Sequence, residues 1–415
     1  MKKELLLCSL AGILLTGISG CSGNEPWSDS AYTLQKEDIK VDYPEAGFTA
    51  NAGQAFLIEV KSVSDENVTY AWLIDGKEVA QTKSFTHTFM QAGTYQLTLK
   101  VSQGQTSFEF SYTVNVGYAA LPETPKDASP YITKVLEYRP APGQFVNTMP
   151  QYKEGDTQAT MNEKALNAIG NNTRRMITLG GYGGYVTVGF DHTIRNAKDA
   201  NDFLVLGNAF ENSSEPGIIQ VAYDVNQNGQ PDEEEWFEIA GSAHHAPKHE
   251  LWYEQAKQAG NIVETYLDYS ITYKKPAKEP TTNEEKENYI FWEDNKGHKG
   301  YKVMNQFHPQ PYYPQWIEEE QLVFTGTCLP QNGINQGTDK NFVLPSFTYG
   351  YADNYPNDAE KAAIDIDWAV DKDGNPANLP GVDFIKIYTG VNQENGWLGE
   401  NSTEVCGVTD LNLTK

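Results

Sequence analysis

Short runs of β-forming residues, separated by turn signals, constrain the fold of this chain more than any other feature. Between residues 41 and 117 such runs recur at short intervals, at 56–60, 69–74, 95–101 and 108–116. The dipeptide Asp75-Gly76 follows the second run and is a strong signal for a hairpin turn. Because sandwiches are built from many short strands joined by turns, this segment is expected to form one small β-sandwich with Trp72 in its core.

Three groups of residues in this segment resemble PKD-like modules, which are of the immunoglobulin type. They are Tyr70-Ala71-Trp72, His87-Thr88-Phe89 and the stretch 92–99. The glycine-rich turn that this family usually has after the tryptophan is replaced here by Leu73-Ile74-Asp75-Gly76. The resemblance implies an immunoglobulin-like sandwich over 41–117 that serves as a spacer. The changed turn leaves this sandwich intact but does not support a binding function carried by the turn.

The remaining chain, residues 131–415, follows a proline-rich linker (118–130) and contains no second break of this kind. Abundant aromatic residues, glycine and proline favour β-structure with long loops. The best candidate for a helix is 162–169, which Gly170 ends. The predicted fold class is therefore mainly β: the N-terminal sandwich, then a large C-terminal domain of β-sandwich or jelly-roll type with short helices.

The N-terminus has the pattern of an export signal. Lys2 and Lys3 precede an apolar run that is too short to span a membrane as a mature helix, and small residues come before Cys21. A cysteine after such a triplet resembles the bacterial lipobox, so we expect 1–20 to be removed and Cys21 to carry lipid. Residues 21–40 then form a polar tether, and the lipid anchor is the expected contact with the membrane. An ordinary signal peptide with an incidental Cys21 is the alternative.

The charge balance excludes some partners. The chain has 56 acidic and 31 basic residues, which gives a net charge of -25. Nucleic acids and anionic lipids need basic patches, so neither is an expected partner. After processing, Cys328 and Cys406 are the remaining cysteines, and an exported protein permits a disulfide between them without requiring one.

The strongest chemical motif is an oxygen-rich loop over 224–235. Its side-chain oxygens fall at the positions that a Ca²⁺ loop uses, Gly229 stands where the chain must turn sharply, and the next residue supplies a backbone carbonyl. The predicted ligands of a structural Ca²⁺ are Asp224, Asn226, Asn228, Gln230, Asp232 and Glu235. Because the flanking segments read as strands, the loop is expected inside a β-hairpin. A solvated acidic turn is the alternative.

A second acidic region surrounds Asp365 and Asp367. These aspartates alternate with apolar residues over 364–370, which predicts one strand with both carboxylates on one face. With Asp383 on a later strand, three interpretations stay open: a solvated face, a second Ca²⁺ site, or the carboxylate pair of a glycosidase. The sequence contains neither Gly-x-Ser-x-Gly nor His-Glu-x-x-His, so a binding protein is expected rather than an enzyme.

Aromatic residues are concentrated on predicted loops among proline, glycine, asparagine and glutamine. Flat rings on loops bind sugars and other large planar ligands by stacking. The predicted ligand-binding residues are Trp292, Tyr312, Tyr313, Trp316 and Trp397. Packing of these rings in the core is the alternative.

Several motifs of the large domain together resemble PKD-containing cell-surface lipoproteins of Bacteroidetes. Among them are Gly180-Gly181-Tyr182-Gly183-Gly184, Gly207-Asn208-Ala209-Phe210, Ser214-Glu215-Pro216-Gly217 and Gly350-Tyr351-Ala352-Asp353-Asn354. The resemblance implies a lipid-anchored protein of the outer membrane or cell surface that works beside a TonB-dependent transporter. Its implied task is to capture a nutrient, either a corrinoid or a glycan. A secreted glycosidase and an adhesive or structural surface protein are the alternatives.

Overall fold

The computed structural model of the protein describes residues 32–61, 67–337 and 341–414. The predicted signal segment 1–20 and Cys21 lie outside the described residues. The chain is mainly β, with 37% of residues in strands and 11% in helices, which confirms the predicted fold class. The N-terminal strands are β1 (Phe48–Asn51), β2 (Ala55–Ile58), β3 (Val68–Ile74), β4 (Lys77–Ala80), β5 (Phe85–Thr88), β6 (Gly93–Gln103) and β7 (Thr106–Gly117).

The N-terminal strands form two facing layers around Trp72. One sheet has the order β1-β7-β6-β3-β4, with β1 parallel to β7, and β2 pairs with β5 in the other. Trp72 is fully buried, its ring lies 5.0 Å from that of Phe85, and its Nε1 donates to the Thr82 carbonyl at 2.9 Å. Asp75 and Gly76 both have positive φ, 47° and 83°, and join β3 to β4 as the sequence predicts.

The described residues of the large domain form seventeen further strands, most of them short. They are β8 (Lys134–Arg139), β9 (Ile177–Thr178), β10 (Tyr185–Arg195), β11 (Phe203–Leu206), β12 (Gly217–Ala222), β13 (Trp236–Ile239), β14 (Tyr266–Lys274), β15 (Ile290–Asp294), β16 (Lys299–Lys302), β17 (Gln321–Cys328), β18 (Ile334–Asn335), β19 (Phe342–Val343), β20 (Ala363–Ile364), β21 (Ala369–Val370), β22 (Gly381–Thr389), β23 (Glu404–Val405) and β24 (Gly407–Asp410). The α-helices are α1 (Gln158–Ile169), α2 (Tyr253–Gln258) and α3 (Asn283–Glu287). The 3₁₀ turns are Lys36–Asp38, Glu233–Glu235, Pro247–His249, Glu360–Ala362, Ile366–Trp368 and Gly396–Leu398.

A six-stranded antiparallel sheet forms the centre of the large domain. Its order is β21-β13-β12-β22-β10-β8, and the neighbouring sheets are β20-β11-β24 and β16-β15-β14-β17. Central strand β22 is buried along most of its length, so both of its faces are covered. The predicted helix 162–169 is confirmed within α1, which begins earlier, at Gln158. Thr157 caps α1 by accepting the Thr160 N–H, and the helix ends before Gly170 as predicted.

The prediction of one continuous strand over 364–370 is wrong. The segment is divided into β20, a 3₁₀ turn at Ile366–Trp368, and β21. The cause is local, because the Asp365 side chain accepts the backbone N–H of Asp367 at 2.9 Å and so competes with the strand ladder.

Cys328 is buried, Cys406 is half-buried, and both are free thiols. Among the described residues, no helix is long and apolar enough to cross a membrane.

Candidate ligand-binding pocket

A pocket of about 490 Å³ opens among loops of the large domain. The loops that follow β8, β11 and β16 and those that precede β12 and β23 supply its walls. Two rings of the lining are well exposed, Trp397 at 53% and Phe307 at 66%. Phe145 and His308 add an edge-to-face pair with ring centroids 4.7 Å apart. Exposed rings in a concave site can stack on a flat apolar face of a ligand.

Hydrogen bonds fix the loops that carry these rings. Asn305 Nδ2 donates to the Trp397 carbonyl at 2.8 Å, so the Phe307 loop is tied to the Trp397 turn. Gln144 Nε2 donates to the Leu398 carbonyl at 2.7 Å and joins the loop after β8 to the same turn. The rings are therefore positioned by backbone contacts as well as by their own packing.

Three carboxyl groups meet at the floor of the pocket. Oxygens of Glu215, Asp353 and Glu404 lie within 4.8 Å of one another, the only such group of acidic, histidine or cysteine side chains in the described part of the chain. Glu215 and Glu404 line the pocket, together with Glu400. A fourth carboxyl group therefore lies close to the same floor.

Backbone donors hold Asp353 in this cluster. The N–H groups of Asn208 and Ala209 donate to Asp353 Oδ1 at 2.8 Å each, and the Glu404 N–H donates to Oδ2 at 3.1 Å. Gly207 is required beside them, because a Cβ at that position would lie 2.2 Å from Asp353 Oδ1.

Ser402 and Thr178 supply donors to the other two carboxyl groups, Glu215 and Glu404. The Ser402 N–H donates to Glu215 Oε1 at 3.2 Å, and Ser402 Oγ donates to Glu404 Oε1 at 2.9 Å.

Burial and mutual repulsion raise the pKa values of these groups. Burial, with Asp353 next in effect, raises the pKa of Glu215 to about 8. Burial raises the pKa of Asp353 to about 7 against the lowering effect of its backbone donors. The pKa of Glu404 lies well above its usual value, because of burial first and then Glu215 and Asp353. Burial and mutual repulsion therefore favour the protonated forms of these carboxyl groups near neutral pH.

The structure corrects the predicted aromatic site in part. Trp397 lines the pocket, but Tyr312, Tyr313 and Trp316 are 1%, 4% and 8% exposed and lie in the core. They pack there because the loop folds back over α1, where Trp316 Nε1 donates to Gln158 Oε1 at 3.2 Å. Tyr312 still supports the pocket, since its hydroxyl accepts the Asn305 N–H at 2.8 Å.

Trp292 lies at a different place from Trp397. It lines a smaller pocket of about 110 Å³ together with Tyr266 and Tyr269, whose rings stack 6.0 Å apart. The predicted rings therefore do not share one concave face.

The oxygen-rich loop lies in a β-hairpin, as predicted, between β12 and β13. Asp224 Oδ1 and Oδ2 accept the N–H groups of Asn228 and Gly229 at 3.0 and 2.7 Å. Asp232 Oδ2 accepts the side-chain amides of Asn226 and Asn228 at 2.6 and 2.9 Å.

The last predicted ligand of this loop, Glu235, is 1% exposed. It accepts the N–H groups of Val225 and Asp232 at 3.0 Å each. Burial, with smaller contributions from the charges of Asp224 and Asp232, raises its pKa to about 7. Gln230 N–H donates to Asn228 Oδ1 at 2.7 Å, so this ligand position belongs to the same turn.

The three aspartates of the second acidic region do not converge. Asp367 is exposed and accepts from Asn196 Nδ2 at 2.7 Å, next to Asp365. Asp383 lies instead at the base of the oxygen-rich loop, where it accepts the Asp224 N–H at 2.8 Å and the Thr193 hydroxyl at 2.6 Å.

No pattern in the sequence marks the pocket's acidic residues as a site; they are Glu215, Asp353, Glu400 and Glu404. Because the residues of the three-carboxyl cluster are separated by up to 189 positions in the chain (404 minus 215), no local pattern in the sequence indicates that they converge. The positive φ of Asp353, 48°, is a signal available only from the structure.

Residues 38–103 match the PKD-like domain family, which confirms the predicted nature of the N-terminal domain. No curated protein matches the chain.

Solved structures show weak likeness to this chain. A quinonprotein alcohol dehydrogenase-like protein from Bacteroides thetaiotaomicron is 14% identical with a TM-score of 0.18, and the match covers 43% of this chain and 44% of that one. A SusE-like protein is 9% identical over 90% of this chain and 97% of its own, with a TM-score of 0.21. A glycan-utilisation protein from Bacteroides ovatus, in complex with a mixed-linkage heptasaccharide, is 13% identical over 70% and 71%, with a TM-score of 0.19. Likeness at this level does not establish a shared fold.

We expect the melting temperature to fall as the pH rises from about 5 to about 8. Since the folded pKa values of Glu215 and Asp353, about 8 and about 7, lie above their unfolded values, the folded state binds more protons in this window. Their stabilising effect is complete below the unfolded pKa values and is lost as the pH rises through the folded ones. Calorimetric melting across this range measures the slope.

The double variant Glu215→Gln/Glu404→Gln should reduce this slope, because isosteric amides do not titrate. The exposed carboxylate of Glu254, which lies outside the pocket, provides the control variant Glu254→Gln. The same slope in the double variant and in the wild type would contradict the assignment.

Proposed function

We propose that this protein binds a carbohydrate in the pocket lined by Trp397 and Phe307. The observation that carries the proposal is the pairing of two exposed rings with a polar floor in one cavity of about 490 Å³. Rings stack on the apolar face of a sugar, while Asn305, Asn208 and the floor carboxyl groups offer hydrogen bonds to its hydroxyls. The volume suits one or two sugar rings better than the much larger macrocycle of a corrinoid.

Binding without turnover is the proposed activity. A glycosidase remains a second candidate, because carboxyl oxygens of Glu215 and Glu404 lie within 4.8 Å of each other beside an open cavity. Asp365 and Asp367, the pair that the sequence suggested for this role, do not line this pocket.

A structural Ca²⁺ in the loop 224–235 is also part of the proposal. The loop residues fit the ion chemically, since oxygen donors dominate the set and Glu235 is a buried carboxylate with two acidic neighbours. Asn226 and Asn228 now present their Nδ2 groups to Asp232. Rotation of these amides would present oxygen to the ion instead. When bound, Ca²⁺ would supply the positive charge that this loop lacks.

Export and attachment through lipid on Cys21 complete the proposed function, with the protein at the cell surface beside a TonB-dependent transporter. The N-terminal pattern supports export and the anchor, with a short cationic start, an apolar run and small residues before Cys21. The place beside a transporter rests on the resemblance to cell-surface lipoproteins. The polar tether would then place the PKD-like spacer between the membrane and the pocket.

Loss of a stacking ring should weaken glycan binding by about 2 kcal/mol, or roughly 30-fold in Kd. We would titrate a panel of oligosaccharides and cyanocobalamin into wild-type protein by calorimetry, then repeat with Trp397→Ala and Phe307→Ala. Tyr301→Ala is the matched control, because Tyr301 is 41% exposed and packs against Phe291 outside this pocket.

Equal binding by all variants would place the site elsewhere, and cyanocobalamin as the one ligand bound would favour the corrinoid. Chromatography of the same samples tests for turnover. Hydrolysis that is lost in Glu404→Gln would replace the binding proposal with the glycosidase.

Ca²⁺ should raise the melting temperature by a few degrees, because an ion at about 100 times its Kd stabilises the folded state by about 2.7 kcal/mol. Calorimetric melting with CaCl₂ and with EDTA measures the difference. Asp224→Ala with Glu235→Gln should abolish it, whereas Asp371→Ala, in another acidic turn, should preserve it. Identical melting with chelator and with Ca²⁺ would refute the site.

Replacement of Cys21 by serine should move the protein from the membrane fraction to the soluble fraction. Lipid labelling with radioactive palmitate should be lost at the same time, since the acyl chains have no other predicted attachment point. Cys8→Ser, inside the predicted signal, is the control and should keep both properties. A labelled Cys21→Ser protein would contradict the anchor.

A further inference from the structure

The floor of the pocket carries more negative groups than the chain itself neutralises. Three of its lining residues are glutamates, Glu215, Glu400 and Glu404, and Asp353 lies directly behind them. Within the described lining there is no lysine or arginine, and His308 is the one imidazole. The buried Lys302 forms an ion pair with Glu394 at 2.8 Å, and its charge also lowers the pKa of Glu400.

The four carboxyl groups differ in how far protein donors satisfy them. Asp353 receives three backbone N–H bonds, and Glu400 receives the Gln144 N–H at 2.6 Å. Glu215 receives one donor, the Ser402 N–H at 3.2 Å, and Glu404 accepts from the hydroxyls of Ser402 and Thr178. Among the described residues, no lysine or arginine forms an ion pair with either glutamate. Burying a carboxylate is costly unless a proton or a cation compensates it. Glu215 and Glu404 are therefore the groups that a cationic ligand would satisfy.

The upper part of the pocket favours the same kind of ligand. The rings of Trp397 and Phe307 offer electron-rich faces, and such faces attract an ammonium group as well as a sugar face. The net charge of -25 adds long-range attraction for cations and repulsion for anions.

We propose that the pocket selects glycans whose sugar units carry a free amine, with the ammonium group bound by Glu215 and Glu404 and the sugar ring stacked on Trp397. This inference rests on the proposed carbohydrate site and adds the charge of its ligand. A neutral sugar would leave the two glutamates protonated, and an acidic sugar would be repelled. Of these three kinds of sugar unit, the one with a free amine places a positive charge beside the carboxyl groups of Glu215 and Glu404.

The test compares two ligands that differ only in charge. Glucosamine oligosaccharides and their N-acetylated counterparts of equal length are titrated into the full chain by calorimetry at low and moderate salt. We expect the amine form to bind at least about tenfold more tightly, with a preference that shrinks as salt rises.

The glutamate variants decide whether the preference comes from this cluster. In Glu215→Gln and Glu404→Gln the ratio of the two affinities should fall towards one, while Glu254→Gln should keep the wild-type ratio. Melting curves at pH 5 establish that each variant is folded. A preference that survives in both glutamine variants would overturn the assignment.

Failure of this inference can be told apart from failure of the carbohydrate site. If wild-type protein binds both ligands with equal affinity, the amine preference is overturned. If Trp397→Ala then weakens both to the same extent, the carbohydrate site is still supported. Tighter binding of the acetylated form also overturns the amine preference. So does binding of Mn²⁺ to the carboxyl cluster in equilibrium dialysis when the titrations show no amine preference. Absence of binding by every oligosaccharide removes the carbohydrate site itself.

Discussion

The carboxylate of Asp353 holds the pocket together. It accepts backbone N–H groups from Asn208 and Ala209, which follow β11, and from Glu404, which begins β23. Its own backbone carbonyl accepts the Glu215 N–H at 3.1 Å. Segments far apart in the chain therefore converge on one residue, and a buried charge deprived of these donors would be strongly destabilising. The positions of Glu215 and Glu404 at the floor follow from this network.

This arrangement of buried carboxyl groups lowers the stability of the fold near neutral pH. A core of similar volume filled with apolar residues would not need protons to be stable near neutral pH, whereas Glu215, Asp353 and Glu404 do. As at Gly207, the absence of a side chain at Gly143 lets a carboxyl group approach the backbone closely. A Cβ at Gly143 would lie 2.5 Å from Glu400 Oε1. Buried carboxyl groups with incomplete partners concentrate at functional sites, which is why the pocket is the best candidate in the described chain.

Local patterns predicted local structure well. Asp75-Gly76 specified a hairpin because both residues tolerate positive φ, and Gly170 ended α1 as expected. Tyr312, Tyr313 and Trp316 were wrongly assigned to a ligand surface, because aromatic residues among prolines look alike whether a loop faces solvent or folds onto α1. The carboxyl cluster was beyond prediction, since its members meet only through the packing of separate sheets.

The loop 224–235 links the two domains. Val225 packs against the N-terminal core, and Gln91 Nε2 donates to the Glu234 carbonyl at 2.9 Å. The approach is so close that a Cβ on Gly53 would lie 2.1 Å from the Val225 carbonyl oxygen. An ion that ordered this loop would stabilise the domain contact along with the hairpin. Val225 and Glu234, which make the domain contact, lie between the proposed Ca²⁺ ligands along the chain, so an ion in the loop would bear on the contact between the PKD-like domain and the large domain.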